Sequence, residues 1–143
     1  MMKQNLMILL LLVSARVFAP SGVKVVYLGK LEGIDPYRNL KHAIGMVEAS
    51  YDGETIDSTM INEYEQAYGF FQIRQIRLDH YYQDTGVRYS LNDMLNYKKA
   101  EEVFMHFAEK IGADDPCKIA RRWNGSGPMT WDYWKRVQKY LVI

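Results

Sequence analysis

Between Tyr97 and Ile111 the residues Ala100, Val103, Phe104, Phe107, Ala108 and Ile111 recur at three- and four-residue steps, and Gly112 follows directly. That spacing keeps one stripe of a 3.6-residue helix apolar, and a glycine just past the stripe is where helices commonly end. A stripe this bulky must be covered by other elements, so the pattern predicts a helical domain with this segment at its centre.

Weaker versions of the same pattern lie on both sides. Pro36 to Glu48 reads as a helix, with Asp35 as its N-cap, Pro36 in its first turn, and Leu40, Ala43, Ile44 and Val47 on its buried face. Gly45 costs that helix about 1 kcal/mol relative to alanine, which predicts a close approach by another backbone. Residues 51–66 show no clean period and read as a loop with a short strand. The stretch 67–73, AYGFFQI, reads as a strand or hairpin arm. Residues 74–86 predict a helix stopped by Gly86, and Ser90 with Asp93 resembles a capping pair. Asp115-Pro116 opens another helix with Ile119, Ala120 and Trp123 inward, and residues 124–128 break it. Thr130 is expected to cap a last helix burying Trp131, Trp134, Val137 and Leu141. The expected fold class is mainly α (α+β), five or six helices with a small β element after the first.

The chain has 143 residues, 48% of them apolar, enough for one compact domain. Its net charge of +1, with acids and bases interspersed, gives no electrostatic footprint for nucleic acid. Cys117 is the only cysteine, so an internal disulfide is excluded, packing alone must stabilise the fold, and Cys117 reads as a small buried core residue. His42, His80 and His106 lack ligand spacing, so no metal and no cofactor are expected. The N-terminus resembles an export signal: MMKQN carries a positive charge, LMILLLLV is a short apolar run, and SARVFAPSG offers small residues for cleavage. The run is too short for a stable membrane span. A leader over 1–19, with its cut site open between Ala15 and Ala19, and a domain over 20–143 follow, with the periplasm or extracellular space as destination.

Three short stretches then line up in order: Glu48-Ala49-Ser50 at a helix end, Ala67-Tyr68-Gly69-Phe70-Phe71-Gln72-Ile73, and Ala120-Arg121-Arg122-Trp123-Asn124-Gly125. In this the chain resembles the lysozyme-like lytic transglycosylases of the soluble-lytic-transglycosylase (SLT) type, over about residues 36–140. Ala67, Gly69, Gln72 and Ile73 match the second motif of that family, with Phe70-Phe71 in place of Leu-Met. Ala120, Asn124 and Gly125 match the third, with Trp123 in place of Tyr. The chain departs from the family in a longer loop between Glu48 and Gln72, in Ser50 displaced by one position, and in a loop serine for which Ser58 is the only counterpart.

The resemblance implies a lysozyme-like fold and an enzyme that cleaves the β-1,4 bond between N-acetylmuramic acid and N-acetylglucosamine in peptidoglycan glycan strands. Glu48 would be its one catalytic residue, acting as acid and then base to leave a 1,6-anhydro-muramoyl end. Elementary chemistry asks the same of Glu48. A glutamate in water is ionised at neutral pH, so it can protonate a leaving oxygen only if partial burial raises its pKa. Val47, Tyr51, Tyr68, Phe70 and Trp123 are the expected apolar and aromatic walls of the substrate cleft, with Tyr133 a further lining residue. Gln72 and Asn124 are expected to hydrogen-bond the glycan.

Two alternatives stay open at the level of sequence. The loop carries Asp52, Glu54, Asp57, Glu63 and Glu65, and a second carboxylate, foremost Asp57 or Glu54, would make a hydrolytic lysozyme. A glycan-binding or scaffold protein of the same fold, without turnover, is the other. Small size and the lack of a wall-anchoring module suggest work for a larger envelope-spanning assembly.

Overall fold

The computed structural model describes residues 34–141. The expected leader and all but the end of the lead-in over 23–35 lie outside the described residues. Five α-helices and one two-stranded antiparallel sheet make up this region, which is mainly helical.

Helix α1 spans Arg38–Glu48. It starts two residues later than the proline pattern suggests, because Asp35 spends its carboxylate on the turn before it, accepting from the Tyr37 amide at 2.9 Å. The buried face is Leu40, Lys41, Ala43, Ile44, Gly45 and Met46. Val47, expected on that face, is half-buried at its edge. Lys41 tolerates burial because Asp35, at 2.5 Å, and Glu101 both answer its charge.

Strands β1 (Ile61–Asn62) and β2 (Ala67–Tyr68) pair with Ile61 opposite Tyr68 and Asn62 opposite Ala67. The expected arm over 67–73 is therefore mostly a tight turn, closed by a bridge between Tyr68 and Ile73. Gly69 makes that turn possible. Its φ is +75°, and a Cβ there would lie 1.9 Å from the Met94 carbonyl oxygen, so no other residue fits without displacing backbone.

Helix α2 (Gln75–Thr85) ends on Gly86 at φ +74°, as its sequence suggests. Ser90 and Asp93 form a reciprocal capping box, here opening a 3-10 turn over Leu91–Leu95. Helix α3 (Tyr97–Glu109) buries Ala100, Val103, Phe104 and Ala108 at the centre of the core. Asp115 caps α4 (Pro116–Asn124) by accepting from the Lys118 amide at 2.8 Å, with Pro116 in the first turn. Cys117 is only half-buried, since the inward face of α4 begins at Ile119.

Helix α5 (Met129–Gln138) corrects the expected face. It buries Thr130, Tyr133 and Val137, while Trp134 is half-buried and Trp131 is 49% exposed. The Trp131 ring instead carries the Arg121 guanidinium 3.7 Å above it. Thr130 lies inside the helix, and its hydroxyl donates to Gly127 O at 2.7 Å. Among the described residues no helix is long and apolar enough to cross a membrane.

The core joins the second and third sequence motifs. Phe71 stacks on Phe104 at 4.5 Å between centroids, and Trp123 meets Phe104 edge-on at 5.0 Å. The Trp123 indole N–H donates to the Phe71 carbonyl oxygen at 3.2 Å. Each such buried ring contributes about 1.5–3 kcal/mol by leaving water, and the indole bond fixes how the end of α4 stands against the turn after β2.

Candidate active site

Glu48 is the last residue of α1, where the helix runs out beside a cleft of about 430 Å³. The end of α4 forms one wall, with Trp123, Asn124 and Gly125; α5 supplies Tyr133 and Arg136. The β lobe adds Asn62 and Glu65, and the segment after β2 adds Gln72, Arg74 and Arg77.

Tyr133 reaches across from α5 and donates its hydroxyl to Glu48 Oε1 at 2.7 Å. This partner explains why Tyr133, and not Trp131 or Trp134, turns inward: a buried phenol needs a hydrogen bond, and the carboxylate supplies it. Burial pushes the Glu48 carboxyl up to about 7. The Tyr133 hydrogen bond and the positive charges of Arg136 and Arg74 oppose that rise, and the negative charge of Glu65 adds to it. Desolvation wins because the favourable charges stand off from the carboxyl. Tyr133 is itself pushed well above the ordinary tyrosine range, by burial first and by the charge of Glu48 second.

Gln72 adopts φ +48°, a left-handed conformation that is uncommon for a residue with a side chain and costs on the order of 1–3 kcal/mol. Its amide nitrogen holds the turn together, donating to Gly69 O at 3.0 Å and Met60 O at 3.1 Å. The amide oxygen is the group it can offer to a ligand. Asn124 is exposed at the end of α4, beside Gly125 at φ +140°.

Of the residues singled out from sequence, the fold brings Val47, Glu48, Gln72, Trp123, Asn124 and Tyr133 to one cleft. Phe70, Tyr68, Tyr51, Asp57, Glu54 and Ser58 go elsewhere. Phe70 does not line the cleft: its ring lies over Gly45, where a Cβ would come within 2.4 Å of it, and meets Phe71 and Tyr97 edge-on. The close approach at Gly45 is thus to an aromatic ring and not to a backbone. Tyr68 packs half-buried against the core, and Tyr51 is 79% exposed outside the cleft. Asp57 and Glu54 do not line the cleft. Asp57 turns back on its own loop, accepting from the Thr59 hydroxyl at 2.7 Å and the Thr59 amide at 2.8 Å, while Glu54 is exposed. Ser58 is also absent from the cleft lining.

The loop acid that does face the cleft is Glu65, ion-paired with Arg74 on its rim. Sequence reasoning included Glu65 among the loop acids without preferring it, and missed Asn62, Arg74, Arg77 and Arg136. Arg136 carried a usable signal, standing one helical turn beyond Tyr133. The rest depend on where the β lobe folds, which no local pattern encodes.

Among the described residues no group of three His, Cys, Asp or Glu side chains could hold a metal ion. What the cleft holds is a desolvated carboxyl able both to give and to accept a proton near neutral pH, flanked by amides and an aromatic edge. No family model matches the chain, and neither the curated proteins nor the solved structures contain a match to it.

Proposed function

We propose that this protein is an exported lysozyme-like peptidoglycan lytic transglycosylase with Glu48 as its catalytic residue. The observation that carries the reading is the Glu48 carboxyl, hydrogen-bonded by Tyr133 and raised to about 7 beside an open cleft. The element order gives support: a helix ending in glutamate, a small two-stranded lobe, then helices that return to the same cleft.

At pH 7 a glutamate at its ordinary pKa of 4.5 is protonated only about one part in 300, whereas one with a pKa near 7 is protonated about half the time. That gain of roughly a hundredfold in acid form is what protonating a glycosidic oxygen requires. In the proposed sequence Glu48 gives its proton to the bridging oxygen as the bond to the muramoyl C1 breaks. The 2-acetamido group of that sugar assists from the opposite face. Glu48, now ionised, takes the proton from the sugar's own C6 hydroxyl, whose oxygen closes on C1 to give the 1,6-anhydro ring. No water is consumed. Gln72 and Asn124 hold the N-acetyl and hydroxyl groups, and the Trp123 edge packs against a sugar face. The natural substrate is the peptidoglycan glycan strand, opened locally for a larger envelope assembly.

Mass spectrometry of sacculi digested with the protein tests the chemistry. Anhydro-muropeptides are expected; reducing muramoyl ends would overturn the transglycosylase reading. One observation favours that second outcome, a hydrolytic lysozyme: Glu65 lies on the cleft and acts on Glu48 electrostatically. Its pairing with Arg74 counts against it as a base for water.

A further inference from the structure

Behind the end of α4 lies a second groove of about 430 Å³, which shares Arg77, Trp123 and Gly125 with the cleft of Glu48. Phe107 and Trp123 give it aromatic walls. Four cations line it, Arg77, Lys110, Lys118 and Arg122, and no acid does.

Helix stability explains only part of this charge. Arg122 and Lys110 stand at the C-terminal ends of α4 and α3, where a cation answers the helix dipole. Lys118 and Arg77 stand in the first turns of α4 and α2, where a cation opposes it. Lys110 has a carboxylate partner in Asp84, at 2.6 Å. Among the described residues Arg77, Lys118 and Arg122 have no acidic partner within ion-pair distance.

Arg77 is the informative one. It stands on the ridge between the two cavities, half-buried, its guanidinium 4.6 Å from the Trp123 ring centre and 4.9 Å from that of Phe107. It donates to Trp123 O at 2.9 Å and to Arg122 O at 3.4 Å. Both bonds come from Nη2, and neither the carbonyls nor the flanking rings supply a negative charge, whereas a cation removed from water without a counter-charge is unfavourable. An anion seated in the groove supplies that counter-charge, and a planar carboxylate suits arginine best.

Resting on the proposed function, we infer that this groove binds the carboxylate-bearing peptide stem of the muramoyl residue held next to the scissile bond. The sugars of the strand are neutral. Its carboxylates sit on the stems, and the second groove adjoins the first cleft, with which it shares Arg77, Trp123 and Gly125.

The test compares glycan strands bearing stems with strands stripped of them by an amidase, using the wild type and the charge-reversed variant Lys118→Glu/Arg122→Glu. Both positions are away from Glu48, and circular dichroism checks that the variant folds. The wild type is expected to prefer stem-bearing strands, and the variant to lose at least tenfold of that preference in kcat/KM. A preference unchanged by the double reversal overturns the inference while leaving the proposed chemistry standing. If the wild type cleaves neither substrate, the catalytic reading fails and a binding arm judges the groove separately. Calorimetry on Glu48→Gln with a soluble stem-bearing muropeptide should show binding that weakens with salt and at least tenfold on reversal of Lys118 and Arg122. Equal binding of the stem-free disaccharide overturns the groove's role, and tighter binding of a polyglycerol phosphate assigns it to phosphate polymers instead.

Discussion

The acid at the end of α1 and the acids of the loop that follows it respond to the fold in opposite directions. On the helical side burial pushes Glu48 up to about 7. In the loop leading to the β lobe, Asp52 is held down at about 2 because the Thr55 and Glu54 amides, both 2.8 Å from its Oδ1, stabilise the ionised form; Asp57 is lowered by Thr59. The side-chain chemistry is the same. What differs is whether the backbone offers N–H groups to an exposed carboxylate or apolar packing strips water from one. A proton donor for neutral pH comes only from the second environment, so a crowd of acids in a loop is no guide to where acid chemistry occurs.

Replacing Glu48, half-buried at the end of α1, should break this contrast most severely. Glu48→Gln is expected to abolish cleavage of peptidoglycan, by a factor of about a thousand or more, as read by release of soluble muropeptides. It should also change how stability depends on pH. A carboxyl whose folded pKa lies above its unfolded value keeps its full contribution below about 4.5 and loses it as pH rises to about 7. The loss is on the order of 3 kcal/mol. Urea unfolding between pH 4 and 8 should show this decline in the wild type and not in the variant.

Removing the Tyr133 hydroxyl sharpens the comparison next. Tyr133→Phe takes away a bond that favours ionised Glu48, so the alkaline limb of the activity profile should move to higher pH while kcat/KM falls about tenfold. An unmoved limb would mean that Tyr133 only packs. Glu65→Gln should act more weakly and with the opposite sign: losing a nearby negative charge lowers the Glu48 pKa, so the limb moves to lower pH. Activity is expected to stay within about fivefold with anhydro products retained; collapse of activity would make Glu65 the second carboxylate of a hydrolase. Smallest of all, Asp57→Asn and Glu54→Gln should leave the rate of wall cleavage within about twofold in turbidity assays.

The same division governs what could be read from the chain. Helices α2, α3 and α4 were legible to within about two residues, α2 from its terminating glycine, α3 from its period and the glycine after it, and α4 from its Asp-Pro start and inward face. For α5 the period admitted two faces, and tryptophan hydrophobicity favoured the wrong one; the deciding factor was a hydrogen bond to Glu48, eighty-five positions away in sequence. Glu48, Gln72, Trp123 and Asn124 were found because each sits in a recognisable short motif. Of the expected walls, Val47 and Trp123 line the cleft, whereas Tyr51, Tyr68 and Phe70 do not; these were misassigned because aromatic residues near the site in sequence were taken as near it in space. Phe70 sits next to Phe71 and touches it edge-on at 4.7 Å, yet its ring is seated over Gly45 and does not line the cleft.

The bond from the Trp123 indole to the Phe71 carbonyl ties the end of α4 to the turn after β2 at the back of the cleft. Opposite it, the front lip rests on a ladder of only two residues per strand, with Tyr64 almost entirely in solvent. Deuterium uptake should accordingly be slowest around 71 and 119–123 and fastest across 61–66. Stiffening that lip, for example by lengthening the ladder, should slow exchange there while leaving the surroundings of Glu48 unchanged.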